Sequence, residues 1–127
     1  ITYNDKRFVL ITDCGKITEE VSSRALEADY LVLESNYDPQ MLETGPYPLH
    51  LRRRIACSTG HLSNTETAEF LRDNSFANLR QLFLCHLSEN NNTHELVDSA
   101  VSQALQDKNV PYHILDRRKV NGFFELD

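Results

Sequence analysis

The chain has 127 residues, with 19 acidic side chains against 13 lysines and arginines and a net charge of -6. That length suits one domain, large enough to bury a core without disulfide staples. The acidic balance argues against bulk electrostatic capture of nucleic acid and leaves only a local basic patch as a route to it. No apolar run approaches membrane-spanning length and the opening residues do not read as a leader. Three cysteines, at positions 14, 57 and 85, form neither a disulfide framework nor a zinc-knuckle spacing. A reducing, cytoplasmic setting without membrane contact is expected.

Taken in chain order, residues 1 to 12 predict a hairpin. Ile1 and Tyr3 alternate with polar neighbours, Asn4-Asp5 supplies turn chemistry, and Phe8-Val9-Leu10-Ile11 reads as a buried strand. The first arm is very short, as if part of its strand were missing. Thr18-Glu19-Glu20 caps a helix carrying Val21, Ala25 and Leu26 and ending at Asp29. Tyr30 to Leu33 is a second apolar strand, and Glu34 to Pro48 an irregular stretch rich in Asn, Pro and Gly. A basic segment, Leu49 to Ile55, carries Arg52, Arg53 and Arg54; phosphate binding and a solvated helix face both suit it.

Ser63 and Glu66 form a capping box for a helix through Ala68, Phe70 and Leu71. Leu79 to Leu84 is the third strand, ending at Cys85-His86. Asn92 and Glu95 read as a second capping pair, ahead of a helix with Leu96, Val97, Val101, Ala104 and Leu105. Tyr112 to Leu115 and Phe123 to Leu126 read as terminal strands around a turn at Asn121-Gly122. Strands alternating with helices make the class α/β, with a largely parallel centre.

Where the polar residues fall carries the functional signal. The three apolar strands end at Asp13, at Glu34 and at His86, and ligand sites of open α/β sheets lie beyond the carboxyl ends of the strands. His61 adds a fourth polar group just before the capped helix. Asp and His suit zinc, manganese or iron, while a Glu beside a His also suits proton transfer. Taken singly, each has a plainer role: Asp13 near Gly15 as a turn residue, Glu34 as a loop cap, His86 as a half-buried core histidine. Cys85 reads as a buried thiol and Cys14 as a packing residue, while His50, His94 and His113 have no acidic partner at a strand end.

Together, Thr12-Asp13-Cys14-Gly15, Leu33-Glu34-Ser35-Asn36-Tyr37-Asp38, Gly45-Pro46-Tyr47-Pro48, Gly60-His61-Leu62-Ser63-Asn64 and Phe83-Leu84-Cys85-His86 resemble, in order and spacing, the carboxyl-terminal part of the metallo-β-lactamase-fold hydrolases of the YycJ (WalJ) type. These are bacterial relatives of tRNase Z. The resemblance covers nearly the whole chain and implies that residues 1–127 form the carboxyl-terminal half of such a domain: half of an αββα sandwich, a mixed sheet with helices on one face. It implies that Asp13 and His86 are metal ligands. It also implies that Glu34 and His61 form a proton-donating pair for the leaving oxygen, opposite a metal-bridging hydroxide in a phosphodiesterase or nuclease. The resemblance further implies two divalent transition-metal ions, zinc or manganese, in the complete domain. Tyr37 departs from the pattern, which has a histidine there.

The family's His-x-His-x-Asp-His motif does not occur in the chain. Asp13 and His86 alone are too few to retain a dinuclear centre, so the chain by itself is expected to be inactive. Half a sandwich also leaves an apolar sheet face uncovered. The alternative expectation is therefore a half-domain that binds or self-associates through that face as a homodimer, its polar cluster vestigial. Nucleic acid is expected only as the substrate of the parent enzyme.

Overall fold

The computed structural model describes Ile1–Asp127. Five strands, β1 (Thr2–Tyr3), β2 (Lys6–Ile11), β3 (Tyr30–Glu34), β4 (Gln81–Cys85) and β5 (Tyr112–Ile114), lie side by side in sequence order. The first pair is antiparallel, and its turn residues Asn4 and Asp5 both have positive φ, 46° and 60°, which matches the twist of a two-residue hairpin. The remaining neighbours run parallel, so their carboxyl ends share one edge.

Helices make the crossovers. Helix α1 (Glu19–Leu26) joins β2 to β3, and Thr18 Oγ1 accepts from the backbone N–H of Val21 at its start. Three helices, α2 (Pro39–Thr44), α3 (Leu49–Ala56) and α4 (Asn64–Asp73), separate β3 from β4, and α5 (His94–Ala104) separates β4 from β5. Strand alternation turns Val9, Ile11, Leu31, Leu33, Leu82 and Leu84 toward one face, where Ala25, Phe70, Leu71, Val97 and Val101 of α1, α4 and α5 complete a single apolar core. Full burial of a side chain such as Leu31 or Val97 contributes about 1.5–3 kcal/mol. No helix is long and apolar enough to cross a membrane.

Several expectations need correcting. The stretch before Pro48 is not wholly irregular: Asp38 caps α2 through Met41 N at 2.9 Å, and Pro39 opens it. The cap of α5 is Thr93, not Asn92; Asn92 turns inward instead. Helix α1 stops at Leu26, and Asp29 ties β3 to β2 by accepting from Arg7 N at 2.9 Å. The run Phe8 to Ile11 is not buried throughout, since Leu10 is 63% exposed on the sheet face away from the helices.

That second face also overturns the expected last strand. Residues Phe123 to Leu126 make no ladder. They form an extended tail laid over the helix-free face, with the Phe124 ring edge-on to Phe83 at 4.9 Å and tilted against His113 at 4.8 Å. Tyr30 Oη donates to the carbonyl of Asp127 at 2.9 Å, and Leu126 shares a pocket with Phe8 and Tyr30. The face is thus covered in part by the chain itself. Deleting residues 117–127 should lower unfolding stability in urea by about 1–3 kcal/mol and raise binding of an apolar dye. An unchanged midpoint would mean that the tail contributes no cover.

Candidate metal centre

The parallel edge gathers the four residues singled out from the sequence. Ligand atoms of Asp13, Glu34, His61 and His86 all lie within 4.8 Å of one another. Glu34 ends the central strand and is completely buried. The Nδ1 atoms of His61 and His86 each lie 2.7 Å from the same oxygen, Glu34 Oε1. The rings sit 5.2 Å apart at 58°, and Asp13 Oδ1 lies 3.6 Å from His61 Nδ1 and 3.9 Å from His86 Nδ1.

Each position follows from local structure. Asp13 and His86 stand just past β2 and β4 with φ of 56° and 59°, a left-handed conformation that non-glycine residues adopt at a cost of about 1–2 kcal/mol. Asp and His are among the residue types that tolerate it best. His86 is held there by Asn36 Nδ2, which donates to its carbonyl at 2.6 Å. His61 precedes a complete capping box: Ser63 Oγ accepts from Glu66 N at 3.1 Å, and Ser63 N donates to Glu66 Oε2 at 2.8 Å. The first turn of α4 thereby fixes the entry angle of the chain at His61.

Beneath the four lies a buried amide and hydroxyl layer that sequence reasoning missed. Ser35 Oγ donates to Asn64 Oδ1 at 2.7 Å, Asn92 Nδ2 donates to the Ser35 carbonyl at 2.9 Å, and Thr67 Oγ1 donates to the Glu34 carbonyl at 2.7 Å. The available signal was the recurrence of Asn in the Ser35-Asn36, Ser63-Asn64 and Asn91-Asn92 pairs, which loop chemistry alone explained equally well. Tyr37 is buried beside Ser63, and burial with nearby Glu66 pushes its phenol up to about 12, so it stays protonated near neutrality.

The chemistry of this cluster is directional. A carboxylate oxygen only accepts, so an ionised Glu34 assigns the proton to Nδ1 of both rings and leaves each Nε2 for other work. Asp13, 64% exposed at its side chain, adds a solvent-facing carboxylate beside them. One carboxylate and one imidazole Nε2 match the hard-to-borderline preference of a divalent transition metal, and Glu34 is the carboxylate that conventionally orients such a histidine. The donors fit part of a coordination shell. They fall short of the three or four protein ligands that retain such an ion.

The cysteines behave differently from one another. Burial, with Glu34 and Asp13 nearby, pushes the Cys85 thiol up to about 12, which fits a packing residue. Cys57, bonded to Thr59 and near Arg54, has its thiol held below the usual range. Cys57 should therefore be the first to react with iodoacetamide near neutral pH and Cys85 the last, as read by mass spectrometry of the labelled peptides.

This architecture matches part of a metallo-β-lactamase fold. The chain superposes on the metallo-β-lactamase fold protein YhfI from Bacillus subtilis with a TM-score of 0.55 at 17% identity, covering 85% of this chain and 36% of that one. In sequence it is a relative of the YycJ and WalJ exodeoxyribonucleases. Identity is 36% over 105 residues with exodeoxyribonuclease YycJ of Bacillus anthracis, covering 83% of this chain and 40% of that protein. With exodeoxyribonuclease WalJ of Streptococcus pneumoniae it is 37% over 93 residues, covering 73% and 35%. No family model matches the chain. The chain spans at most 40% of the length of these curated relatives.

The tautomer assignment is open to a direct test. Long-range 15N NMR above the imidazole titration range should find His61 and His86 both protonated at Nδ1, and Glu34→Ala should return both toward the Nε2-protonated form. Either ring protonated at Nε2 in the wild-type chain would contradict the shared carboxylate.

Proposed function

We propose that residues 1–127 are the carboxyl-terminal half of a metal-dependent phosphodiesterase acting on nucleic acid, with Asp13 and His86 as metal ligands and Glu34 and His61 as its proton-donating pair. The observation that carries this reading is the single buried Oε1 of Glu34 shared by His61 and His86 at 2.7 Å each. It supplies one oriented imidazole for a ligand and a second for a proton. The names of the relatives, exodeoxyribonucleases, support DNA as the polymer.

A divalent ion held here would supply Lewis-acid polarisation of a phosphoryl oxygen and a water of lowered pKa. The chain's own residues do the rest. His86 would offer its Nε2 to such an ion, with Nδ1 hydrogen-bonded to Glu34. Asp13 contributes an exposed carboxylate and compensates positive charge. His61, only 27% exposed at its side chain, presents Nε2 toward the departing oxygen and, when doubly protonated, transfers that proton to it. Glu34 stabilises the imidazolium before the transfer and fixes the ring's orientation after it.

The chain alone provides too few ligands, so it should neither retain two transition-metal ions stoichiometrically nor cleave an oligodeoxynucleotide with manganese or zinc. Supplied with a polypeptide carrying the His-x-His-x-Asp-His portion, it should cleave. There His61→Ala should lower kcat by about 10²–10⁴-fold with metal content retained, whereas Asp13→Ala should lower metal content. Stoichiometric metal and ordinary turnover by the 127-residue chain alone would overturn the proposal.

One observation favours a second reading, self-association of a half-domain. The tail leaves Leu10 and Tyr3 exposed, at 63% and 77%, on the β1–β2 side of the sheet. Light scattering decides it: a dimer lost on Leu10→Lys supports it, and a monomer at every accessible concentration removes it.

A further inference from the structure

Beside the four-residue cluster lies a cleft of about 490 Å³ whose polar lining is Asp13, Arg54, Thr59 and His61. Arg54 comes from the last turn of α3, the helix carrying the three consecutive arginines. It makes no ion pair, a state it shares with Arg24, Arg52, Arg53 and Arg117, but of these arginines it alone lines the cleft beside the cluster. Arg52 is occupied differently, donating to the Glu43 carbonyl. Arg53 is exposed and does not line the cleft.

The backbone that carries Arg54 is locked to the Asp13 loop. A Cβ on Gly15 would stand 2.2 Å from the Cys57 carbonyl oxygen, and one on Gly60 would stand 2.2 Å from that of Ile55, so both positions exist only as close backbone approaches. His61 N donates to the Ile55 carbonyl at 2.9 Å, and Cys57 Sγ donates to the Arg54 carbonyl at 3.0 Å. Arg54 and His61 therefore share one rigid corner, and no rearrangement of α3 is needed to bring the guanidinium to the cleft.

We propose that Arg54, with the Thr59 hydroxyl beside it, binds a substrate phosphate on the His61 side of the centre, next to the phosphate that reacts. The guanidinium fork suits two phosphate oxygens, and its charge offsets the Asp13 carboxylate that otherwise repels an anion entering there. This deepens the phosphodiesterase reading and rests on it. Arg54 then sets which side of the cleft the nucleic-acid backbone enters, while the overall charge of -6 keeps the rest of the surface from holding DNA unspecifically.

The test is a metal-free NMR titration of the 15N-labelled chain with thymidine 3′,5′-bisphosphate. Amide shifts at Arg54, Thr59, Gly60 and His61 are expected, with affinity weakened at least about fivefold by Arg54→Gln and less by Arg54→Lys. Arg53→Gln removes the same charge from the same helix and should change affinity less than about twofold. Equal losses for the two Gln variants, or none, overturn the proposal; the spectrum itself reports whether each variant is folded. Because the titration reads binding without metal, failure to cleave by the assembled enzyme would fall on the phosphodiesterase reading and leave this result standing.

Discussion

The cost of burying one carboxylate organises this protein. Glu34 has no exposed surface at the end of the central strand, and a buried charge is tolerated only when paired and hydrogen-bonded. Its partners come from two separate crossovers: His61 from the loop before α4 and His86 from the end of β4. Satisfying Glu34 therefore pins both connections at once. The left-handed backbone at His86, the capping box after His61 and the Ser35–Asn64–Asn92 layer are the local devices that keep them pinned.

Much of this was legible. The strand runs at 30–33 and 79–84, the Ser63–Glu66 box and the apolar spacing of α5 are local patterns, and local patterns survive in a sequence. Strand-end placement of Asp13, Glu34 and His86 followed from the parallel rule for α/β sheets, which needs only the alternation of elements. What was not legible depends on partners far along the chain. Asn92 looks like a cap because Asn commonly caps, and only Asn64 and the Ser35 carbonyl, at 28 and 57 residues' remove, reveal its inward role. Leu10 reads as core because its neighbours are apolar, while its exposure is set by what lies on the other face.

The same distinction separates the two kinds of support around the centre. Side-chain hydrogen bonds orient Glu34, His61 and His86, and a conservative substitution can replace part of such a bond. The Gly15 and Gly60 approaches are steric, with main chain against main chain at distances no side chain can share. Orientation is thus graded, whereas the distance between the Asp13 loop and the α3 corner is all or nothing.

The tail on the helix-free face has a consequence for anything else that docks there. With Phe124 on Phe83 and Asp127 bonded to Tyr30, the surface is occupied before a partner arrives. Docking becomes an exchange, in which a partner's apparent affinity is its intrinsic affinity multiplied by the fraction of time the tail is away. Tail residues that touch nothing but this face would then set the threshold for association without contributing an atom to the finished interface.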